Sequence, residues 1–192
     1  MSNLALHGKS YKSDKQRVEH DYYATPYPAT EALLDRETFA PVIWDPAAGG
    51  GHILDVVNHR GYGVIGTDIV IRNPDFTYCN FLTRSEKSTI DYCDIITNPP
   101  YKQSVEFVEQ ALRILAPGRK IAMLLPLTFL ESKKRAKLFE NAPPRIVYVF
   151  QSRIHCWPNG EPSLVAHSST IAYAWYVWRV GETIEPIIRW IP

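Results

Sequence analysis

The sequence predicts an α/β protein built on a doubly wound, mostly parallel sheet. Three observations predict it. Short apolar runs alternate with helical stretches through most of the 192 residues, and a pair of strands closes the pattern. The first well-formed apolar run ends in a glycine turn that opens a helix. Polar residues recur where strands end: Asp45, Asp68, Asn80 and Asn98. In an open parallel sheet such ends share one edge, and ligands bind there.

In chain order, residues 1–20 are polar, with Lys9, Lys12, Lys15 and Arg17 against Asp14 and Glu19. Few apolar groups could anchor them, so a mobile arm is expected. Residues 21–192 are expected to form a single catalytic domain. Prolines 26 and 28 force an extended approach to a helix that runs to about Arg36. Val42-Ile43-Trp44 reads as a strand ending in Asp45-Pro46-Ala47-Ala48-Gly49-Gly50-Gly51. A helix follows from His52 towards Gly61, with Ile53, Leu54, Val56 and Val57 facing inward. Residues 62–67 form the second strand and 76–79 the third. The fourth is Ile95-Ile96-Thr97, closed by Asn98-Pro99-Pro100-Tyr101. A helix over 103–115 places Phe107, Val108, Ala111, Leu112 and Leu115 on one face. Residues 121–125 read as a strand buried on both sides. A helix carrying Lys133, Lys134, Arg135 and Lys137 leads to a sixth strand over 146–150. A loop over 151–169 precedes a seventh strand over 171–178, and Ile187, Ile188 and Trp190 suggest one more short strand.

Bulk properties narrow the function. A net charge of +1 excludes a global basic field, so nucleic-acid binding would need a local patch. The three cysteines form no CxxC pair and show no metal-ligand spacing. Reduced thiols in a cytoplasmic compartment, with no metal, are therefore expected. No signal peptide and no membrane-length apolar run are found.

The strand-end residues carry chemistry. Asn98-Pro99-Pro100-Tyr101 presents an amide, carbonyls without competing N–H donors and a flat ring. That combination suits a planar ligand with an exocyclic amino group. Three glycines at 49–51 let backbone approach a ligand closely. Asp68 lies 23 residues after Asp45, at the second strand tip, where an acid can hold ribose hydroxyls. Asn80 and Phe81 could meet a purine at its edge and face.

Taken in order, these motifs resemble class I S-adenosylmethionine-dependent methyltransferases, specifically the adenine-N6 DNA methyltransferases of phage and prophage type. Tyr23-Ala24-Thr25-Pro26 resembles their N-terminal cofactor motif and Asp45–Gly51 their glycine motif. Asp68, followed by Ile69, resembles their ribose-binding acid, and Asn98–Tyr101 their catalytic motif. The resemblance covers about residues 21–130. It implies a Rossmann-like sheet of seven strands in the order 3-2-1-4-5-7-6, with the seventh antiparallel. It implies S-adenosyl-L-methionine bound by Tyr23, Thr25, Pro26, Asp45, Pro46, Ala47, Gly49, Gly51, Asp68, Ile69, Asn80 and Phe81. Here Asn80-Phe81 replaces the family's acid-aromatic pair. The catalytic residues would be Asn98, Pro99, Pro100 and Tyr101, with the amino group on the Asn98 oxygen and Pro99 carbonyl and the ring of Tyr101 stacked on the base. Asp94, before an apolar strand, reads as structural rather than as a base.

The implied substrate is adenine in DNA, flipped from its stack. RNA bases, a protein glutamine amide and a non-catalytic binding subunit are the alternatives. With little room for a recognition domain, contacts are expected from Lys102 and Gln103, from the Lys133–Lys137 cluster with Lys134 and Arg135, and from Arg153 and Trp157 in the 151–169 loop. A protein partner for targeting would compensate.

Overall fold

The computed structural model describes residues 22–85, 90–164 and 171–192. The arm expected over residues 1–20 lies outside them, as does part of the 151–169 loop.

The elements run β1 (Tyr23–Ala24), α1 (Tyr27–Leu34), β2 (Val42–Asp45), α2 (His52–His59), β3 (Gly63–Asp68) and β4 (Thr77–Tyr78). They continue β5 (Cys93–Thr97), α3 (Ser104–Ile114), β6 (Lys120–Pro126), α4 (Ala136–Asn141) and β7 (Ile146–Phe150). Last come β8 (Trp157–Pro158), β9 (Tyr173–Arg179) and β10 (Ile187–Ile191).

Eight strands form the main sheet in the order β10-β7-β9-β6-β5-β2-β3-β4. Seven of them follow the expected order, and β9 runs antiparallel to both β6 and β7. The expected seven-stranded sheet gains an eighth strand, because Ile187–Ile191 pairs parallel to β7 along its whole length. Two other expectations change. The Lys133–Arg135 stretch is a 3-10 turn, and the α-helix begins only at Ala136. The 151–169 loop contains β8, which pairs antiparallel with β1 in a separate two-stranded ribbon.

The sheet is apolar on both faces, and the period-2 alternation of each strand assigns side chains to one layer or the other. Ile95, Ile121, Met123, Leu125 and Tyr176 join Phe107, Val108 and Ala111 of α3 on one side. Ile96, Ala122, Leu124 and Trp175 join Leu33 of α1 and Leu54 and Val57 of α2 on the other. Truncating a fully buried side chain here, such as Ile96, would cost roughly 2–5 kcal/mol. Asp94 braces this core. Its Oδ2 accepts from Ala40 N at 2.7 Å and its Oδ1 from Lys120 N at 2.8 Å. Both carboxylate oxygens thus tie the lead-in to β2 and the start of β6 to β5, well away from the strand tips.

Candidate active site at the carboxyl edge of the sheet

Strand β2 lies between β3 and β5 and runs parallel to both, so their last residues come together. Asp45 ends β2, Asp68 ends β3 and Asn98 follows β5. The glycine turn between β2 and α2 is fastened to the tip of β3: Gly49 N donates to Asp68 Oδ2 at 2.8 Å and Ala48 N to Thr67 O at 3.0 Å. Gly49 and Gly51 have φ of +55° and +102°, so only glycine turns the chain here without strain.

A cavity opens at this edge. Of the residues expected to hold a cofactor, Tyr23, Thr25, Asp45, Pro46, Ala47, Asp68, Ile69, Asn80 and Phe81 line it, and Asn98 and Pro100 join them. Pro26, Gly49, Gly51, Pro99 and Tyr101 do not line it. The glycines shape the turn, and Tyr22 covers its first half: a Cβ on Gly49 would fall 2.2 Å from Tyr22 Cε2, and Gly50 N donates to the Tyr22 hydroxyl at 3.0 Å, while Gly51 faces Phe76.

Asp45 is buried and its Oδ1 accepts from Ala47 N at 3.1 Å. Burial pushes its carboxyl up to about 7. Asp68 is also buried, and its Oδ1 accepts from Val70 N at 2.9 Å. Arg72 lies 3.7 Å from the same oxygen, with its guanidinium 4.4 Å from the centre of the Tyr22 ring. A carboxylate has about four acceptor positions, so Asp68 keeps capacity for a ligand.

Asn98 is held through its amide nitrogen, with the Cys156 thiol beside the same side chain. Its Nδ2 donates to the Tyr23 carbonyl at 2.9 Å, while its buried Oδ1 has no protein partner. Because a carbonyl only accepts, the amide cannot be turned round at this contact, and the oxygen is fixed on the opposite side. The buried Thr25 hydroxyl, also in the cavity wall, is likewise unpartnered.

Tyr101 departs from the expected stacking position. It packs inward, 5.7 Å from the Tyr173 ring and 6.4 Å from that of Tyr23, with its hydroxyl 4.0 Å from Cys156 Sγ. Burial pushes the Cys156 thiol up to about 12, so it stays protonated. Asn80 is exposed, and its Oδ1 caps the following 3-10 turn by accepting from Leu82 N at 3.2 Å. Phe81 touches the cavity, but its ring meets Trp44 edge-on at 5.3 Å and packs on Phe107 at 5.0 Å, as a core residue would.

The expected substrate contacts divide. Lys102, Lys133 and Lys134 are exposed. Arg135 instead donates to the carbonyls of Thr128 and Glu131 and covers the Phe129 ring. Arg153 and Trp157 line a second hollow with His155 and Pro26. Trp157 is not a loose ring: it meets His52 and Tyr27 edge-on at 5.5 and 5.9 Å. Tyr22, His52 and Arg72 line the cavity without having been expected there, and Gln103, expected beside Lys102 as a substrate contact, joins them. The signals for the first three were adjacency: Tyr22 precedes the N-terminal motif, His52 follows the glycines and Arg72 stands four residues after Asp68. Among the described residues no cluster of three or more His, Cys, Asp or Glu could hold a metal ion, and no helix is long and apolar enough to cross a membrane.

No protein-family model matches the chain, and no curated protein matches it. Solved structures do. One described as a class I S-adenosylmethionine-dependent methyltransferase of Listeria monocytogenes superimposes with a TM-score of 0.59 at 13% identity, over 88% of this chain and 66% of that one. The M protein of the type I restriction enzyme EcoKI gives 0.57 at 15% identity, over 84% of this chain and 44% of that one. A structure described as an RNA methyltransferase of Pyrococcus horikoshii gives 0.52 at 15% identity, over 90% and 92%. The chain thus spans less than two thirds of the first two structures. At these identities the likeness is one of fold: the chain has the open, mostly parallel sheet of class I methyltransferases.

Proposed function

We propose that this protein is an S-adenosylmethionine-dependent methyltransferase that modifies the exocyclic N6 amino group of adenine in DNA. The observation that carries the reading is Asn98: a buried acceptor oxygen without a partner, in the wall of the cavity, on an amide whose other end is pinned. An unsatisfied buried acceptor costs about 1–3 kcal/mol, which an incoming N–H donor recovers. The site order Thr25, Asp45, Asp68, Asn98 along one edge, and a fold likeness that includes a restriction-enzyme M protein, support the reading.

The cavity's donor set fits the cofactor. Asp45 would face its ammonium group, Asp68 its ribose hydroxyls, and the unpartnered Thr25 hydroxyl its amino-acid end. S-adenosylmethionine supplies the methyl group already activated as a sulfonium. The chain's residues then do the rest. Asn98 Oδ1 accepts from the substrate amino group, orients its lone pair and favours the positive charge that grows on nitrogen. Pro99 and Pro100 keep the backbone stiff so that this oxygen does not drift. The methylated nitrogen loses its extra proton readily to solvent, so no strong general base is needed, and Asp94 is committed elsewhere. Tyr23, which lines the cavity, presents the aromatic residue on the cavity side, with Tyr101 packed near it. Lys102, Lys133 and Lys134 are the exposed cations available for phosphates, and Arg153 and Trp157 border a hollow beside the N-terminal motif.

Incubation with labelled S-adenosylmethionine and separate pools of DNA, RNA and protein tests this. Label is expected in DNA, as N6-methyladenine. Label confined to RNA or protein would refute the DNA assignment.

A further inference from the structure

Asn98 can present its oxygen to a substrate only while its amide nitrogen is held. The holder is the Tyr23 carbonyl, on a two-residue strand. Such a strand has no stability of its own. Its place is set by β8, whose Pro158 and Trp157 pair with Tyr23 and Ala24. Asn159 N adds a further bond to Tyr22 O at 3.0 Å, from a residue whose φ of +54° turns the chain out of β8. β8 follows the buried Cys156 and is braced in turn by the Trp157 side chain. The Trp157 indole stands edge-on to Tyr27, on the first turn of α1, and to His52, on the first turn of α2, and those two rings stack on each other at 5.6 Å. Trp157 is therefore seated as a wedge against the stacked pair of rings that joins the starts of two helices.

We infer that Trp157 is a positioning residue: through β8 and β1 it holds the Tyr23 carbonyl on the Asn98 amide, and so makes the site select an amino group over a carbonyl. This rests on the amino-methylation reading. It replaces the expectation that Trp157 stacks on a nucleic-acid base. With the wedge in place, Asn98 offers an acceptor, which pairs with the 6-amino group of adenine and repels the 6-oxo group of hypoxanthine. With the wedge removed, the amide can turn over and offer its NH2 instead.

Two readouts on the full chain test it. The first is the side-chain amide signal of Asn98 by nitrogen-15 NMR, identified by its absence in Asn98→Asp. In the wild type one amide proton is expected to be hydrogen-bonded and protected from solvent exchange; in Trp157→Ala protection is lost, and in Trp157→Phe it is retained. Tyr27→Ala, which removes a partly exposed ring from the wedge, should show partial loss and guards against a Trp157→Ala that does not fold. The second readout is equilibrium binding of matched oligonucleotides carrying adenine or hypoxanthine at the target position. A preference for adenine of about tenfold, the worth of one buried hydrogen bond, should shrink towards unity in Trp157→Ala. A folded Trp157→Ala with the Asn98 amide still protected overturns the inference. A wild type with a protected amide that binds both oligonucleotides equally overturns the adenine reading instead, and the Trp157 effect on the amide then stands on the first readout.

Discussion

The backbone amide of Gly49 donates to the carboxylate of Asp68 at 2.8 Å. The glycine turn and the tip of β3 are therefore one mechanical unit, and Asp68 both braces the turn and lines the cavity. Asp68→Ala should lower affinity for S-adenosylmethionine by at least about tenfold, because a hydrogen bond to a buried charge is worth roughly 1.5–3 kcal/mol. Asp68→Asn keeps an acceptor for Gly49 and should hold the turn while losing charge. Calorimetry on both variants separates the roles; unchanged affinity in Asp68→Ala would remove the acid from the cofactor site.

Asp45 makes the site sensitive to pH. Its folded-state value of about 7 lies above the ordinary 3.8 because burial disfavours the charged form. The sign follows from proton binding: the folded state holds this proton more tightly than the unfolded chain does. Asp45 therefore contributes stability that is fully present below pH 3.8 and is lost as pH rises through about 7. A cationic ammonium group reverses the preference by favouring the carboxylate. Cofactor affinity should rise with pH up to about 7 and then level, with a proton released on binding below that point. Calorimetry in buffers of different ionisation enthalpy measures the proton directly, and Asp45→Asn should show neither the release nor the pH slope.

Tyr22 and Gly49 should be energetically coupled. Alanine at Gly49 meets a left-handed φ and the Tyr22 ring at once. The backbone part costs about 1–2 kcal/mol whatever the surroundings. The clash should vanish in Tyr22→Ala, so the double variant should be more stable than the sum of the two single losses predicts. Urea unfolding of the four proteins checks this; strict additivity would mean that Tyr22 does not rest on the turn.

The basic cluster should split by role. Lys133→Ala combined with Lys134→Ala should weaken DNA binding and flatten its salt dependence, by about 1 in the log–log slope for each phosphate no longer neutralised. Arg135→Ala should instead lower stability, by about 1 kcal/mol, because its guanidinium is bonded to backbone carbonyls. Filter binding across a salt series, beside thermal melts, distinguishes them.

Much of the site was legible because its residues stand at strand ends, where glycine, acid and amide chemistry marks the boundary of an apolar run. Asp45, Asp68 and Asn98 could be placed on one edge from topology alone. The β1–β8 ribbon could not be foreseen: two residues show no period, and the pairing joins segments more than 130 residues apart. Asn80 lines the cavity as expected, but its second task was not legible, since a side chain that accepts from the backbone two residues on looks the same in sequence as one facing a ligand. The packing of Trp157 against Tyr27 and His52 and of Arg135 on Phe129 was not legible either, because these neighbours come together only in the fold.

The most direct measurement compares wild type and Asn98→Ala, each incubated with labelled S-adenosylmethionine and adenine-containing DNA, with the product nucleosides identified by mass spectrometry and cofactor affinity measured alongside. The expected result is N6-methyladenine from the wild type and none from Asn98→Ala, with cofactor affinity retained. Equal N6-methyladenine from both proteins would contradict the role assigned to Asn98, and with it the account of the site.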